Sequence, residues 1–367
     1  MTNLSERSRH IAFYLPSMRG GGAERVMATL ANGIAARGHR VDLVLVKAEG
    51  PYLAEVSANV RVIDLKSRRV LSSLPGLIAY LRRERPQSML SALSHANIVA
   101  IVARVLSNVK CRLVVSEHSA PSRALAGLGM PAVIAGLIRA TYSRADSVVC
   151  VSEGMTQEMR NTLPGPKHKL VTIHNPLDLD RIRRMAEEPV YHKWPTGVEG
   201  PTILAAGRLT EAKDYPNLLR AFAILATTRP VRLMILGQGA LEASLKAMSQ
   251  ELGIADRVAF MGFQENPFAW MRAADLYVMS SQWEGLPGTL MEAMACGARV
   301  VSTACRTGPE EILEGGKWGR LVPVNNPEAL ANAMILALDD SNTPDVSARV
   351  EVFRADQIVT RYEAQLI

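Results

Sequence analysis

Cysteine is scarce in this chain and is not spaced for chemistry. Cys111, Cys150, Cys296 and Cys305 form no C-x-x-C pair and join no histidine cluster, which excludes a zinc ribbon and a thioredoxin-like redox pair. Buried, reduced thiols of a cytosolic protein are the expectation. Aromatic residues make up only 5%; with much Ala, Val, Leu and Ile, this composition suits an α/β protein better than a β-sandwich. Long apolar runs are missing as well. The uncharged stretch Ala124 to Ile138 is 15 residues and carries Pro131, short of the roughly 20 residues that cross a bilayer. Met1 to His10 is polar and is followed by a short apolar run, Ile11 to Leu15, which reads as a strand and not as a signal peptide. No G-x-G-x-x-G is present, nor a D-x-D at a strand end, and Asp339-Asp340 reads as a solvated helix end. A nicotinamide dehydrogenase is thereby disfavoured, and no metal site is expected.

What is present is a well-filled core and an uneven charge. Hydrophobic residues are 48% and charged residues 21% of 367, enough for about two domains. The net charge of +7 hides an asymmetry: residues 1–175 hold 23 Lys/Arg against 11 Asp/Glu, and the remainder holds 19 against 24. A basic first half beside a mildly acidic second half points to an anionic partner for the first. Nucleic acid is disfavoured, because no aromatic residues interleave with the basic ones and no known module appears.

Short apolar runs alternate with helical patterns throughout. In the first half, His10–Leu15, Val41–Val46, Val60–Ile63, Ser88–Ser91, Arg112–Ser116, Ser147–Val151 and Leu170–Ile173 read as buried parallel strands. Helical patterns such as Ala23–Arg37 and Leu71–Arg85 lie between them. Asn175-Pro176 closes this series, and a Glu-, Pro- and Gly-rich stretch with Pro189, Pro195 and Pro201 follows. The alternation then restarts with Thr202–Ala206, Arg232–Leu236, Val258–Met261, Leu276–Met279, Arg299–Ser302 and a weaker Leu321–Val324. Tyr215–Ala226 and Leu241–Leu252 read as helices between these strands. The expected division is a doubly wound domain over 1–175, a connection over 176–201, a second doubly wound domain over 202–346, and a final helix over 347–367 that packs back on the first domain. Sheets of this kind bind ligands beyond the carboxyl ends of their strands, so a cleft between the two domains is the expected site.

Three segments there carry chemistry. Gly20-Gly21-Gly22-Ala23-Glu24 follows the first strand and opens a helix; glycines let backbone approach an anion, and a helix N-terminus attracts one. The same glycines could equally make a plain tight turn. Gly207-Arg208-Leu209-Thr210-Glu211-Ala212-Lys213-Asp214 puts two cations at the end of a strand, where they can neutralise a diphosphate. Glu284-Gly285-Leu286-Pro287-Gly288-Thr289-Leu290-Met291-Glu292 follows Leu276–Met279. Its glycines expose backbone N–H groups, and Glu292, in an early helical turn, can hold two adjacent hydroxyls such as those of a ribose.

Glu284 and Glu292, with seven residues between them in an otherwise glycine-rich loop, resemble the E-x(7)-E signature of glycosyltransferase family 4. Gly207–Asp214 resembles that family's phosphate-binding segment, Gly20–Glu24 its N-terminal glycine loop, and Asn175-Pro176 its domain junction. The set covers nearly the whole chain in the family's order. The resemblance implies a GT-B fold, two Rossmann-like domains facing across a cleft, and transfer with retention of anomeric configuration. It implies that Arg208 and Lys213 bind the donor diphosphate and that Glu292 binds the nucleotide ribose. Glu284, Gly285, Gly288, Thr289 and Leu290 would bind the sugar and phosphate. Gly21 and Gly22 would close over the phosphates, and the base would meet the backbone near Gly262 and Phe263. His118, in Ser116-Glu117-His118-Ser119, matches the family's active-site histidine, although a histidine so placed is by itself as readily structural. With Glu284 it makes the catalytic pair of this reading. Gly237-Gln238-Gly239 departs from the family, which usually has an acidic residue at the middle position. The implied donor is a UDP-linked N-acetylhexosamine or hexose, a substrate rather than a cofactor, and no metal is implied.

Residues 61–85 hold seven cations, among them Arg68, Arg69, Arg82 and Arg83, and two acids around the apolar stretch Val70–Leu81. Such a segment can dock on an anionic membrane or bind a lipid diphosphate; solvated helix ends are the plainer reading. Gly20–Arg25 and Gly285–Glu292 also resemble the family branch that extends polyprenyl-diphosphate-linked glycans. The expectation is a cytoplasmic enzyme, peripheral on the inner face of the membrane, with a lipid-linked glycan acceptor. Its rivals are a soluble transferase with a small or polysaccharide acceptor, a GT-B epimerase acting on a sugar nucleotide, and a two-domain sugar-binding protein. The last has no use for Arg208, Lys213 and Glu292.

Overall fold

The computed structural model describes residues 8–19, 21–119, 131–163, 169–192, 198–342 and 344–367. Gly20, Pro195 and the Ala124–Met130 part of the uncharged stretch lie outside the described residues. The chain divides into two compact units: Met1–Pro176 with Phe353–Ile367, and Leu177–Val352.

The first unit is built on seven strands: β1 (His10–Leu15), β2 (Arg40–Leu45), β3 (Val60–Asp64), β4 (Ser88–Ala92), β5 (Arg112–Glu117), β6 (Ser147–Cys150) and β7 (Leu170–Thr172). Their order across the sheet is β3-β2-β1-β4-β5-β6-β7, and every pair is parallel. Helices cover both faces, which is why β1, β2, β4 and β5 read as nearly continuous buried runs. A buried acidic residue interrupts β2. Asp42 in β2 is fully buried and accepts hydrogen bonds from Arg61 and Tyr80 and pairs with His10. Burial pushes its pKa up, but the hydrogen bonds from His10, Arg61 and Tyr80 together outweigh burial and hold the carboxyl well below the usual range.

The second unit repeats the plan with six strands: β8 (Thr202–Ala206), β9 (Arg232–Leu236), β10 (Val258–Phe260), β11 (Leu276–Met279), β12 (Val300–Thr303) and β13 (Arg320–Val322). The order is β10-β9-β8-β11-β12-β13, again wholly parallel. In each unit the strand order reverses direction beside the first strand, between β1 and β4 and between β8 and β11. Loops leaving the carboxyl ends at such a reversal splay apart and leave room for a ligand.

Two local readings change. The stretch after Pro176 is not plain connection: Leu179–Ala186 is a helix capped by Asp178 and packed on the helix Pro267–Ala273, and Asn266 donates to the Met185 carbonyl at 2.8 Å. The terminal pattern is not one helix. It breaks after Ser347–Glu351, and Ala355–Leu366 begins anew and packs in the first unit. Asp339 and Asp340 do stand at a solvated helix end, the last residue and C-cap of Pro327–Asp339, where they pair with Arg229 and Arg320. The four cysteines are buried and unpaired, and among the described residues no helix is long and apolar enough to cross a membrane.

The helix Ala355–Leu366 is held by both packing and polar contacts. Its Ile358, Val359, Tyr362 and Leu366 are buried, worth about 1.5–3 kcal/mol each. Glu363 takes hydrogen bonds from Arg37 at 2.5 Å and His39 at 2.8 Å, and Arg361 donates to the Thr172 carbonyl. Val359 lies so close to the helix Gly22–Ala36 that a Cβ on Gly33 would meet its Cγ2 at 2.6 Å.

Candidate active site

In the second unit the sequence-predicted residues collect on the loops that leave β8 and β11. The β8 loop is built on backbone contact. Gly207 N–H donates to the Leu236 carbonyl at 2.9 Å, Leu209 N–H to the Gln238 carbonyl at 3.0 Å, and Gly237 N–H to the Gly262 carbonyl at 2.8 Å. The ends of β8, β9 and β10 therefore continue as one hydrogen-bonded edge. Gly237, with φ +135°, presses on the Gly207 carbonyl so closely that no Cβ fits; this is why glycines recur there. Arg208 projects from this edge, exposed, and its guanidinium has no partner among the described residues. Phe263, just past Gly262, is 43% exposed, an aromatic face left to solvent at the same edge.

Lys213 is engaged. Its Nζ donates to Glu284 Oε1 at 2.5 Å, and Ser281 Oγ donates to the same oxygen at 2.7 Å. Both ends of the pair are mostly covered, with side-chain exposures of 19% and 14%. The two loops are also laced through backbone: Gln282 N–H donates to the Ala212 carbonyl at 2.9 Å, and Ser280 Oγ to the Lys213 carbonyl at 2.8 Å. Sequence reading assigned Lys213 to phosphate and Glu284 to sugar, and did not foresee that each neutralises the other. Ser281 was missed, as was Thr307, which donates to the Glu284 carbonyl. Both are small hydroxyls in loops, and no spacing rule marks them.

The loop after Glu284 opens the helix Gly288–Ala295, capped by Pro287 with no side-chain hydrogen bond. The N–H groups of Gly288, Thr289 and Leu290 have no acceptor among the described residues. A helix start with three open N–H groups is a ready anion site. Gly285 is buried in the loop. Glu292 lies one turn further along the helix and is 6% exposed.

In the first unit, Gly21 is the extended N-cap of the helix Gly22–Ala36, with Glu24 folded against it, and a Cβ on Gly22 would meet nothing. His118 follows β5. Its Nε2 lies 3.1 Å from Ser116 Oγ, while Nδ1 is buried without a partner among the described residues. Burial pushes the imidazole down to about 4, so it is neutral at pH 7. Beneath it sits Glu117, fully buried, which accepts from Ser94, Asn97 and Tyr142. Burial outweighs those three donors and raises its pKa. This carboxyl ties the loops leaving β4 and β5 together.

The basic segment divides. Arg68 and Arg69 are exposed, and their guanidinium groups have no partner among the described residues. Arg82 instead donates to the carbonyls of Leu106 and Ser107, Arg83 pairs with Glu84, and Arg61 pairs with Asp42 and Glu84. Leu71, between the clusters, is 75% exposed. No group of three or more potential metal ligands occurs among the described residues.

Comparison with known proteins places this geometry in a family. Residues 20–181 match the family model described as Glycosyltransferase Family 4, and residues 191–349 match Glycosyl transferases group 1. Among curated relatives, N-acetylgalactosamine-N,N'-diacetylbacillosaminyl-diphospho-undecaprenol 4-alpha-N-acetylgalactosaminyltransferase of Campylobacter jejuni is 28% identical over 339 residues, covering 90% of each chain. The lipopolysaccharide core biosynthesis glycosyltransferase LpsE of Rhizobium meliloti is 25% identical, covering 88% of this chain and 87% of its own. Among solved structures, Anabaena HepE in complex with UDP and glucose aligns with a TM-score of 0.81 at 20% identity, over 98% of this chain and 99% of that one. Sucrose-phosphate synthase of Thermosynechococcus elongatus gives 0.80 at 21%, over 96% and 97%. With each Rossmann-like half matched by its own model, the chain belongs to the glycosyltransferases of GT-B fold that join a family 4 N-terminal domain to a group 1 C-terminal domain.

Proposed function

We propose that this enzyme transfers an N-acetylhexosamine or hexose from a UDP-sugar to a hydroxyl of a lipid-diphosphate-linked glycan, with retention of configuration and without a metal. One observation carries the donor half: Arg208, Lys213 and the open N–H groups of Gly288, Thr289 and Leu290 sit on the two loops that flank the strand-order reversal of the second unit. Two cations and a helix N-terminus supply what a departing diphosphate needs. Glu292 takes the ribose and the exposed ring of Phe263 takes the base. Glu284 takes the sugar hydroxyls. In the reaction the C1–O bond to UDP breaks, and the acceptor oxygen bonds to C1 on the same face. The acceptor proton passes to the leaving phosphate oxygen. His118 stays neutral, and Gly21 and Gly22 offer backbone at the start of a helix where an anion can approach.

The acceptor half is supported by the printed names of relatives. Two Campylobacter jejuni transferases, 28% and 25% identical, are named for diphospho-undecaprenol or PP-undecaprenol glycans. The guanidinium groups of Arg68 and Arg69, without a partner among the described residues and beside exposed Leu71, suit an anionic lipid surface, as do the exposed Val133 and Leu137 of the helix Pro131–Thr141. A second reading has its own support: N-acetyl-alpha-D-glucosaminyl L-malate synthase of Bacillus anthracis, named for a small product, is 25% identical over 74% of this chain.

The test is transfer from UDP-GalNAc, UDP-GlcNAc and UDP-glucose, in EDTA, to a polyprenyl-diphosphate glycan, with flotation on anionic vesicles at low salt. Transfer with retained configuration and flotation weakened in Arg68→Glu/Arg69→Glu is expected. Transfer to small acceptors without flotation would favour the soluble reading, and sugar-nucleotide turnover with no acceptor would favour an epimerase.

A further inference from the structure

The last helix of the chain reaches the histidine that follows β5. Tyr362, on the helix Ala355–Leu366, is fully buried, and its hydroxyl lies 3.1 Å from Ser116 Oγ. Ser116, also fully buried, is the next-to-last residue of β5, and its Oγ lies 3.1 Å from His118 Nε2. No other hydrogen bond engages either hydroxyl among the described residues. The three groups form one chain running Tyr362, Ser116, His118, and its polarity decides the imidazole tautomer.

Three polarities are available. In one, Tyr362 donates to Ser116, Ser116 donates to Nε2, and the ring carries its proton on Nδ1. A single group is then left over, the Nδ1–H. In another, Nε2–H donates to Ser116 and Ser116 donates to the Tyr362 oxygen. That leaves two orphans, the buried phenol proton and the Nδ1 lone pair. In a third, Tyr362 and Nε2–H both donate to Ser116, which leaves the Ser116 proton and the Nδ1 lone pair over. Each polarity leaves one buried donor, and only the first leaves no second unsatisfied group, so the first is the stable one. The phenol cannot escape by ionising, because burial raises its pKa. Burial also keeps the His118 ring neutral, so it has one N–H, and its place is a real choice.

We propose that Tyr362 is a positioning residue that, through Ser116, holds His118 as the Nδ1–H tautomer, with that N–H reserved for an oxygen of the bound substrate. The assignment deepens the transferase reading and rests on it only for the identity of that substrate. Nδ1 is shielded and has no partner among the described residues, which is the state of a hydrogen-bond donor awaiting a ligand oxygen. The helix can hold this hydroxyl to a fixed position because it is locked on both sides of Tyr362. Arg361 donates to the Thr172 carbonyl at 2.6 Å, Glu363 is bound by Arg37 and His39, and the Gln365 carbonyl accepts from Arg112 at 2.6 Å. Tyr362 and Ser116, 246 positions apart in sequence, thus set one proton.

The test is nitrogen NMR of the full chain carrying 15N-labelled histidine, with the His118 ring signals identified by their loss in His118→Gln. The wild type is expected to show an unprotonated Nε2 and a protonated Nδ1. Ser116→Ala is expected to return the ring to the Nε2–H form that free neutral histidine prefers, and Tyr362→Phe to mix the two forms. In both variants kcat for UDP release from the UDP-sugar should fall roughly tenfold, the loss expected for one hydrogen bond, with UDP affinity unchanged. Ser116→Thr, which keeps the hydroxyl, should behave as wild type; should Tyr362→Phe not fold, the Ser116→Ala and Ser116→Thr comparison stands in for it. A protonated Nε2 in the wild type, or wild-type spectra and kcat in Ser116→Ala, would overturn the proposal. If the wild type neither binds UDP nor releases it from any sugar, the transferase reading fails, while the nitrogen spectrum still decides the tautomer.

Discussion

Replacing Glu284 by glutamine should make UDP bind more tightly while transfer fails. Lys213 rests on Glu284 Oε1 at 2.5 Å, with Ser281 on the same oxygen. A diphosphate that recruits Lys213 must first take it from that carboxylate. A hydrogen bond between charged groups, mostly covered as this one is, is worth about 1.5–3 kcal/mol net. The amide of the substituted side chain is neutral and holds the ammonium less strongly, so most of that cost disappears. The dissociation constant for UDP should therefore fall roughly tenfold or more, since each ~1.4 kcal/mol is a factor of ten. The same substitution removes the carboxylate that holds the sugar hydroxyls, and release of UDP from the UDP-sugar should drop on the order of 100-fold. Titration calorimetry with UDP and a coupled assay for UDP release read the two effects separately. Unchanged or weaker UDP binding in Glu284→Gln would refute the idea that the pair competes with the donor. Ser281→Ala should move both readings the same way by a smaller amount.

Other consequences follow from the same geometry. Gly237→Ala forces a Cβ onto the Gly207 carbonyl at φ +135° and should destabilise the chain by about 2–4 kcal/mol, read as a lower urea midpoint together with lost UDP binding. Asp42 is held below its unfolded pKa, so its contribution is present above about pH 4 and is lost as pH falls through the folded value; the stability difference between wild type and Asp42→Asn, measured by urea melts, should be large at about pH 7 and shrink in acid. His118 has its pKa at about 4, so it stays neutral from about pH 6 to about pH 8, and a kcat profile should show no step there that vanishes in His118→Gln.

The fold was largely legible because parallel strands buried on both faces leave a strong local trace. Thr202–Ala206, Arg232–Leu236 and Leu276–Met279 read from apolar runs alone have the observed bounds. Elements whose burial depends on distant partners were less legible. Leu179–Ala186 is rich in arginine and looks like surface linker; its apolar side is only visible once the helix Pro267–Ala273 is set against it. The break at Val352–Arg354 is hidden because both flanking segments share helical periodicity. The site shows the same division. Arg208, Lys213, Glu284 and Glu292 stand out since they follow strand ends within a motif. The Lys213–Glu284 pair, the Ser281 clamp and the Tyr362–Ser116 link span 71, 3 and 246 residues in sequence, and no spacing rule links them. Arg82 illustrates the converse: a cation in a basic cluster whose guanidinium is used to hold backbone carbonyls of the neighbouring helix.

Calorimetric titration of UDP in EDTA into wild type and Arg208→Ala is the most direct test of the central claim, that the loops leaving β8 and β11 bind a nucleoside diphosphate through Arg208, Lys213 and an open helix N-terminus. Metal-independent binding, weakened at least roughly tenfold in the variant, is the predicted result. Undetectable UDP binding by the wild type, or equal binding by both, would contradict it.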